Sequence, residues 1–273
     1  ALNGDVDAMY KYAVMLDEGE GVEIDKEESC KFFKMAAEKG NVKSMFTYAM
    51  KLEKGDGCEL NEEESFKYLK KAAMKGNVEA MYHYGIKLND GVLEHEIEAC
   101  KYLKKAADSG NEKAMLIYGM KLDGGYGVAM DKKEALKYYK KAAKKGNIEG
   151  MMNCGIMLSI GDGVEIDEEK SNFYFKMAAD KGNVFAMNRC GWNLKGEESI
   201  RYFKMSASQG SIIGEDQYFY RLNKIHDLYK FQDTAQERIQ DQDQEKVQEQ
   251  DQEKEREQEQ VTEKVQEQEQ EQE

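Results

Sequence analysis

The dipeptide Gly-Asn returns at 40–41, 76–77, 110–111, 146–147 and 182–183, and Gly-Asp at 4–5 stands in the same series. The steps from Gly4 onward are 36, 36, 34, 36 and 36 residues, and "QGS" at 209–211 closes a shorter sixth unit of 28. A period of this length marks an array of stacked units, because one such unit cannot bury its own apolar face and must lend it to a neighbour. The repeat constrains the fold more than any single motif does.

Each unit reads as two helices. In residues 40–75, Met45, Tyr48, Ala49 and Leu52 fall at i, i+3, i+4 and i+7, one face of a helix. The matching sets are Met9/Tyr12/Ala13/Leu16, Met81/Tyr84/Gly85/Leu88, Met115/Tyr118/Gly119/Leu122, Met151/Cys154/Gly155/Leu158 and Met187/Cys190/Gly191/Leu194. The third column is always Ala or Gly, which lets a neighbouring helix approach closely at a helix-propensity cost of about 1 kcal/mol for each Gly. The second helix opens on Asp25, Asn61, Asp131 or Asp167, all good N-caps. Glu28, Glu64 and Glu134 follow three residues later, the spacing of a capping box. Its apolar stripe is Phe33/Ala36/Ala37 in the first unit and Leu69/Ala72/Ala73 in the second. Lys-Gly at 39–40, 75–76, 145–146 and 181–182 ends it, a cation for the helix dipole and a left-handed stop.

The link between the helices, "GDGVEID" at 161–167, resembles a calcium loop only in composition. An EF-hand needs oxygen ligands at loop positions 1, 3 and 5, and starting at Asp162 positions 3 and 5 are Val164 and Ile166. Across the units, Gly21, Gly57, Gly91, Gly127 and Gly163 share one position, and Val22, Cys58, Val92, Val128 and Val164 share the next. The reading is a tight helix-to-helix link: a glycine with positive φ, then an apolar residue tucked beneath.

These features together resemble the Sel1-like repeat family, relatives of the tetratricopeptide arrays. The fourth unit carries all three family segments: "AMLIYGMKL" (114–122), "GYGVAMD" (125–131) and "ALKYYKKAAKKG" (135–146). The resemblance covers roughly residues 1–210 and implies an all-α fold, a right-handed superhelical α-solenoid of helix–loop–helix repeats. It also implies a non-catalytic scaffold or adaptor that holds a partner segment on its concave surface, in protein quality control or signalling. The chain departs from the pattern in having no proline, a shortened third link with His95 at the cap position, and a sixth unit almost without a link. The expected organisation is six repeats over 1–209, degenerate capping helices over 210–231 and an acidic tail over 232–273. "ALNG" at 1–4 aligns with the end of a second helix, so a further repeat is expected upstream.

In this family the first helices line the concave wall, so their outward columns are the candidate site. One column reads Lys11, Thr47, His83, Ile117, Asn153, Arg189; a second reads Met15, Lys51, Lys87, Lys121, Met157, Asn193; a third reads Val14, Met50, Ile86, Met120, Ile156, Trp192. The expected groove is a central ladder of Lys51, Lys87 and Lys121 flanked by Met50, Ile86, Met120 and Trp192, with His83 and Arg189 alongside. It would suit an acidic, partly apolar protein segment, since Arg, Trp and Met are enriched at interfaces. Lys34, Lys70, Lys104, Lys140, Lys176 and Lys204 form a further column on the second helices, read as a solvated face balanced by glutamates.

Charge narrows the classes further. Residues 232–273 hold 16 of the 54 acids and 5 of the 40 bases, so the tail carries −11 of the net −14. The body is close to neutral and lacks the basic footprint of a nucleic-acid binder. The tail is read as a disordered segment or solvated helix, too sparse in apolar residues to pack. The five cysteines show no CxxC spacing, and His83, His95 and His226 form no metal or catalytic constellation, so no catalytic residue, metal or cofactor is expected. No apolar run is long enough to span a bilayer, and a cytoplasmic location is expected. The competing readings are a hydrolase-like activity in the groove and a purely structural spacer.

Overall fold

The periodic apolar columns become helix pairs. The computed structural model describes residues 5–224. First helices are α1 (Val6–Glu18), α3 (Val42–Lys54), α5 (Val78–Lys87), α7 (Glu112–Gly124), α9 (Ile148–Ile160) and α11 (Val184–Asn193). Second helices are α2 (Lys26–Glu38), α4 (Glu62–Met74), α6 (Leu93–Asp108), α8 (Lys132–Lys145), α10 (Glu168–Asp180) and α12 (Gly196–Ser208). Residues 212–224 are helical as well, and no strand occurs among the described residues. The substantial contacts run between consecutive helices, the arrangement of an all-α solenoid. The chain forms two compact units, Ala1–Asn193 and Leu194–Glu273, dividing between the two helices of the sixth repeat. The acidic tail and the end of the capping segment, His226 included, lie outside the described residues.

In the first unit the Met, Tyr/Cys, Ala/Gly and Leu columns are buried as the periodicity predicts, with Tyr12 only half-buried. The small column is required. A Cβ at Gly119 would lie 2.8 Å from the Tyr139 ring, and one at Gly155 would lie 2.8 Å from the Phe175 ring.

The capping box is only half made. The side chains of Asp25, Asn61, Asp131 and Asp167 each accept the backbone N–H three residues on, at 2.9 Å. The caps' own N–H groups do not turn to the glutamates. They donate to the carbonyls of Leu16, Leu52, Leu122 and Leu158, the leucines of the preceding helix, at 2.9–3.0 Å. Each link thereby satisfies a donor at one helix start and an acceptor near the other helix end. Glu64 is left to receive the Tyr48 hydroxyl at 3.3 Å and the Lys34 ammonium at 3.4 Å.

Two further couplings explain residues that recur. Asn41, Asn111 and Asn147 cap their own first helices, and their amide groups also donate to Asp7, Glu79 and Glu112 on the preceding first helix. The Gly-Asn stamp is therefore a cap and a clamp between repeats. Ser29, Ser65 and Ser171, all buried, donate at 2.8 Å to the carbonyls of Ala13, Ala49 and Gly155, joining second helix to first inside one repeat.

The glycine of the link has a second reason besides its positive φ. At Gly57 (φ 74°) an added Cβ would sit 2.0 Å from the Lys26 carbonyl oxygen of the previous repeat. The link is pressed onto the first turn of the preceding second helix, where no side chain fits.

In the third repeat the shortened link changes the helices. α5 has ten residues and α6 sixteen. Val92, not His95, is the N-cap, without a side-chain cap of its own. Asp90 stands in, accepting the Val92 N–H at 3.0 Å and sharing a 2.7 Å hydrogen bond with His95 Nδ1. His95 thus lies within the first turn: with two residues removed, the helix starts earlier instead of stretching the link.

In the second unit, Gly214 is buried where a Cβ would meet Ser206 and Ala207 at 2.7 Å. Glu215 and Phe219, at the Met and Ala/Gly positions of that helix, are exposed.

Candidate functional site

The apolar outward column is in the open. Val14 and Met50 are half-buried, while Ile86, Met120, Ile156 and Trp192 are 38, 47, 36 and 50% exposed. Isolated exposed apolar residues are ordinary, but a row repeated at one helical position is a patch. Beside it, Thr47, His83, Ile117, Asn153 and Arg189 are half-buried. His83 sits by the rings of Phe46 and Tyr82, at 5.6 and 5.2 Å. Burial holds its pKa below the usual histidine value, so it is neutral at pH 7. The Arg189 guanidinium lies 5.4 Å over the Phe175 ring.

The expected open lysine ladder is absent. Lys51 and Lys121 are only 4 and 6% exposed. Lys51 Nζ lies 2.5 Å from Asp17 of the previous repeat and 2.8 Å from Asp56 of its own link. Lys121 pairs with Glu96 and bonds to Asn89, both of the previous repeat. Lys87, the most accessible of the three, is 2.8 Å from Glu53 of the previous repeat. Burial alone would push the Lys51 ammonium down, but its hydrogen bonds to Asp17 and Asp56 outweigh this and hold its pKa above the usual value. Burial likewise works to raise Asp17, and the two lysines beside it overcome that and hold its carboxyl low. An ammonium carried into a low-dielectric junction must be paired, and here each one fastens a repeat to its predecessor.

The pairing also permutes. At the first junction Lys51 and Lys26 face Asp17 and Asp56. At the third, the residue aligned with Lys26 is Glu96, and Lys121 turns to it. At the fourth, Met157 replaces the ladder lysine, leaving Lys132 to serve Asp162 at 2.5 Å and Asp123 at 3.4 Å. A lone lysine column gave no hint of burial. The usable signal was the column Asp17, Glu53, Asn89, Asp123, one residue beyond the buried leucines and aligned to receive the lysines.

Two of the six second-helix lysines reach across to the next repeat as well. Lys34 and Lys70 reach Glu64 and Glu98 of the next repeat at 3.4 Å, over the rings of Tyr48 and Tyr84.

Where the third link is short, a pocket of about 620 Å3 opens in the apolar row. Ile86, Leu103, Ile117 and Met120 form its apolar wall, with Asn89 and Asp123 also lining it. Among the described residues no group of three or more His, Cys, Asp or Glu could hold a metal ion. Among the same residues no helix is long and apolar enough to cross a membrane.

This geometry has known counterparts. A Sel1 repeat protein from Oxalobacter formigenes has 29% sequence identity and a TM-score of 0.61, over 76% of this chain and 89% of that one. The protective antigen c5321 of uropathogenic Escherichia coli, of SLR fold, has 24% identity and a TM-score of 0.53, over 80% of this chain and 56% of that one. Among curated proteins no significant sequence match is found. The Sel1 repeat family model matches residues 6–41, 42–77, 78–111, 113–147, 148–183 and 195–211. The first five segments each take in one helix pair with its link and the sixth takes in α12, and the chain belongs to the Sel1 repeat family.

Proposed function

We propose that this chain is a non-catalytic scaffold that holds a segment of a partner protein along the row Met50, Ile86, Met120, Ile156 and Trp192. Sel1 repeat proteins are generally protein-interaction scaffolds. The observation that carries the reading is the exposure of the row from Ile86 to Trp192, with Met50 half-buried at its start, while the lysines beside it are held in ion pairs. Exposed Met, Ile and Trp in line supply the apolar, adaptable anchors that protein interfaces use. The pocket between Ile86 and Met120 offers a seat for one apolar side chain of the segment.

The partner's chemistry changes with the lysines. An acidic segment would have to compete with Asp17, Glu53 and Glu96 for ammonium groups that are already neutralised. The row favours a predominantly apolar segment. The test is site-specific photocrosslinking in the source cell, with the photoreactive residue at position 120 or at Lys137 on the second helix α8. Position 120 should capture a discrete partner that Lys137 does not, and Ile86→Glu with Ile156→Glu should abolish capture in a protein of unchanged helicity. Equal capture at both positions, or indifference to the glutamates, would remove the row from consideration.

A further inference from the structure

Of the five cysteines, two meet. Cys30 lies in the first turns of α2 in repeat one, and Cys58 lies in the link of repeat two. A separation of 28 positions in sequence conceals a short distance in space. Gly57 rests on the Lys26 carbonyl, one helical turn below Cys30. The Cys58 thiol is within hydrogen-bond reach of the Cys30 thiol, and both side chains line the same pocket. The same slot recurs two repeats on, where Gly127 rests on the Glu96 carbonyl and Cys100 Sγ approaches the Tyr126 carbonyl at 3.1 Å. There the aligned link residue is Val128, so only the first junction carries sulfur on both sides. Both thiols line one open pocket of about 580 Å3 and are free in this structure. Cys58 is the half-buried one of the five; Cys30, Cys100, Cys154 and Cys190 are buried, and of these Cys30 has the Cys58 thiol beside it.

We propose that Cys30 and Cys58 form a thiol-modification site: a low-molecular-weight disulfide such as oxidised glutathione converts them to a disulfide joining repeats one and two. Cys58, half-buried on the link, is the point of entry. Its thiolate attacks one sulfur of oxidised glutathione, forming a mixed disulfide and releasing one glutathione thiolate, which takes up the proton. The Cys30 thiolate then attacks the Cys58 sulfur and expels a second glutathione. Two protein thiols are oxidised, one glutathione disulfide is reduced, and both protons end on the two glutathione thiols. Burial and the neighbouring Cys58 thiol hold the Cys30 pKa up at about 12, which makes the second step slow and places Cys30 as the resolving partner. The bond would tie the link at 55–58 to α2, a junction otherwise fastened by Lys51 and Lys26.

The test equilibrates the full chain in glutathione buffers of rising oxidised fraction, quenches with acid, alkylates and maps peptides by mass spectrometry. The expected result is an intramolecular Cys30–Cys58 disulfide in a monomer, with Cys100, Cys154 and Cys190 still alkylated. In Cys30→Ser the reaction should stop at a glutathione adduct on Cys58, and in Cys58→Ser Cys30 should stay reduced. A wild-type chain that stops at the Cys58 adduct, stays fully reduced, or links only between molecules would overturn the proposal. Circular dichroism of both serine variants establishes that each is folded.

Discussion

Replacing Lys51 by Met tests whether the buried lysines are structural. Methionine keeps most of the aliphatic stem and removes only the ammonium. Two charge-assisted hydrogen bonds are lost, at 2.5 Å to Asp17 and 2.8 Å to Asp56, each worth about 1.5–3 kcal/mol. Three effects offset the sum. The ammonium no longer has to be desolvated. Lys26 remains 2.9 Å from Asp17 and 3.9 Å from Asp56. The two carboxylates keep 24 and 41% of their side-chain exposure, so water reaches them. The net loss is about 3 kcal/mol, at the low end for breaking a buried pair.

In a solenoid this loss should be local. Hydrogen exchange monitored by mass spectrometry should show the opening constant of α2 and α3 rising about 150-fold, at about 1.4 kcal/mol per factor of ten. α8 and α9 should be unchanged. An increase in α2 and α3 below about threefold would refute the reasoning, because Lys26 alone would then hold both carboxylates, as Lys132 does beside Met157.

Three further outcomes follow from the same contacts. Asp17 has a folded pKa below its unfolded value of about 3.9, so its contribution is complete above that value and is lost as pH falls through the lower folded pKa. Thermal denaturation from pH 6 to pH 2 should therefore show a loss below about pH 4 that is shallower in Lys51→Met. Ser65→Ala removes the 2.8 Å bond to the Ala49 carbonyl and should cost about 1 kcal/mol in urea unfolding, a small loss because Ala99 and Ala135 already occupy this position in repeats three and four. Gly57→Ala should cost more than Gly76→Ala in the same assay. Both have positive φ, worth about 1–2 kcal/mol, but only at Gly57 does the new Cβ meet a carbonyl, at 2.0 Å, whereas Gly76 has open space.

What the sequence conveyed and what it hid divide along one physical line. The helix pairs, their core columns and the second-helix N-caps were legible because each depends on residues within one or two turns of each other. Met45, Tyr48, Ala49 and Leu52 declare a face without reference to anything distant, and the structure buries all four. The third-repeat start was misplaced by local reasoning too, because Val92 can begin a helix only when Asp90 supplies the missing cap. The junctions were not legible in this way. Whether Lys51 meets water or Asp17 depends on a carboxylate 34 residues earlier, and whether Cys30 has a partner depends on a link 28 residues later.

The repeat itself contains the missing information, once columns are compared across junctions instead of along helices. A column of lysines beside a column of acids, offset by one unit, is the pattern of a charge clamp, and a column of Met, Ile and Trp at one outward position is a pattern of a different kind. The clamp breaks at Met157, yet the apolar row continues past it through Ile156 to Trp192. The two columns therefore answer to different constraints. The lysines vary with whichever neighbour can neutralise them, as the exchange of Lys26 for Glu96 shows. The apolar row persists whatever the junction beneath it does. Half-buried against the core at Val14 and Met50 and exposed from Ile86 to Trp192, the row keeps its apolar character where the clamp beneath it changes, and that independence is what the capture experiment at position 120 tests.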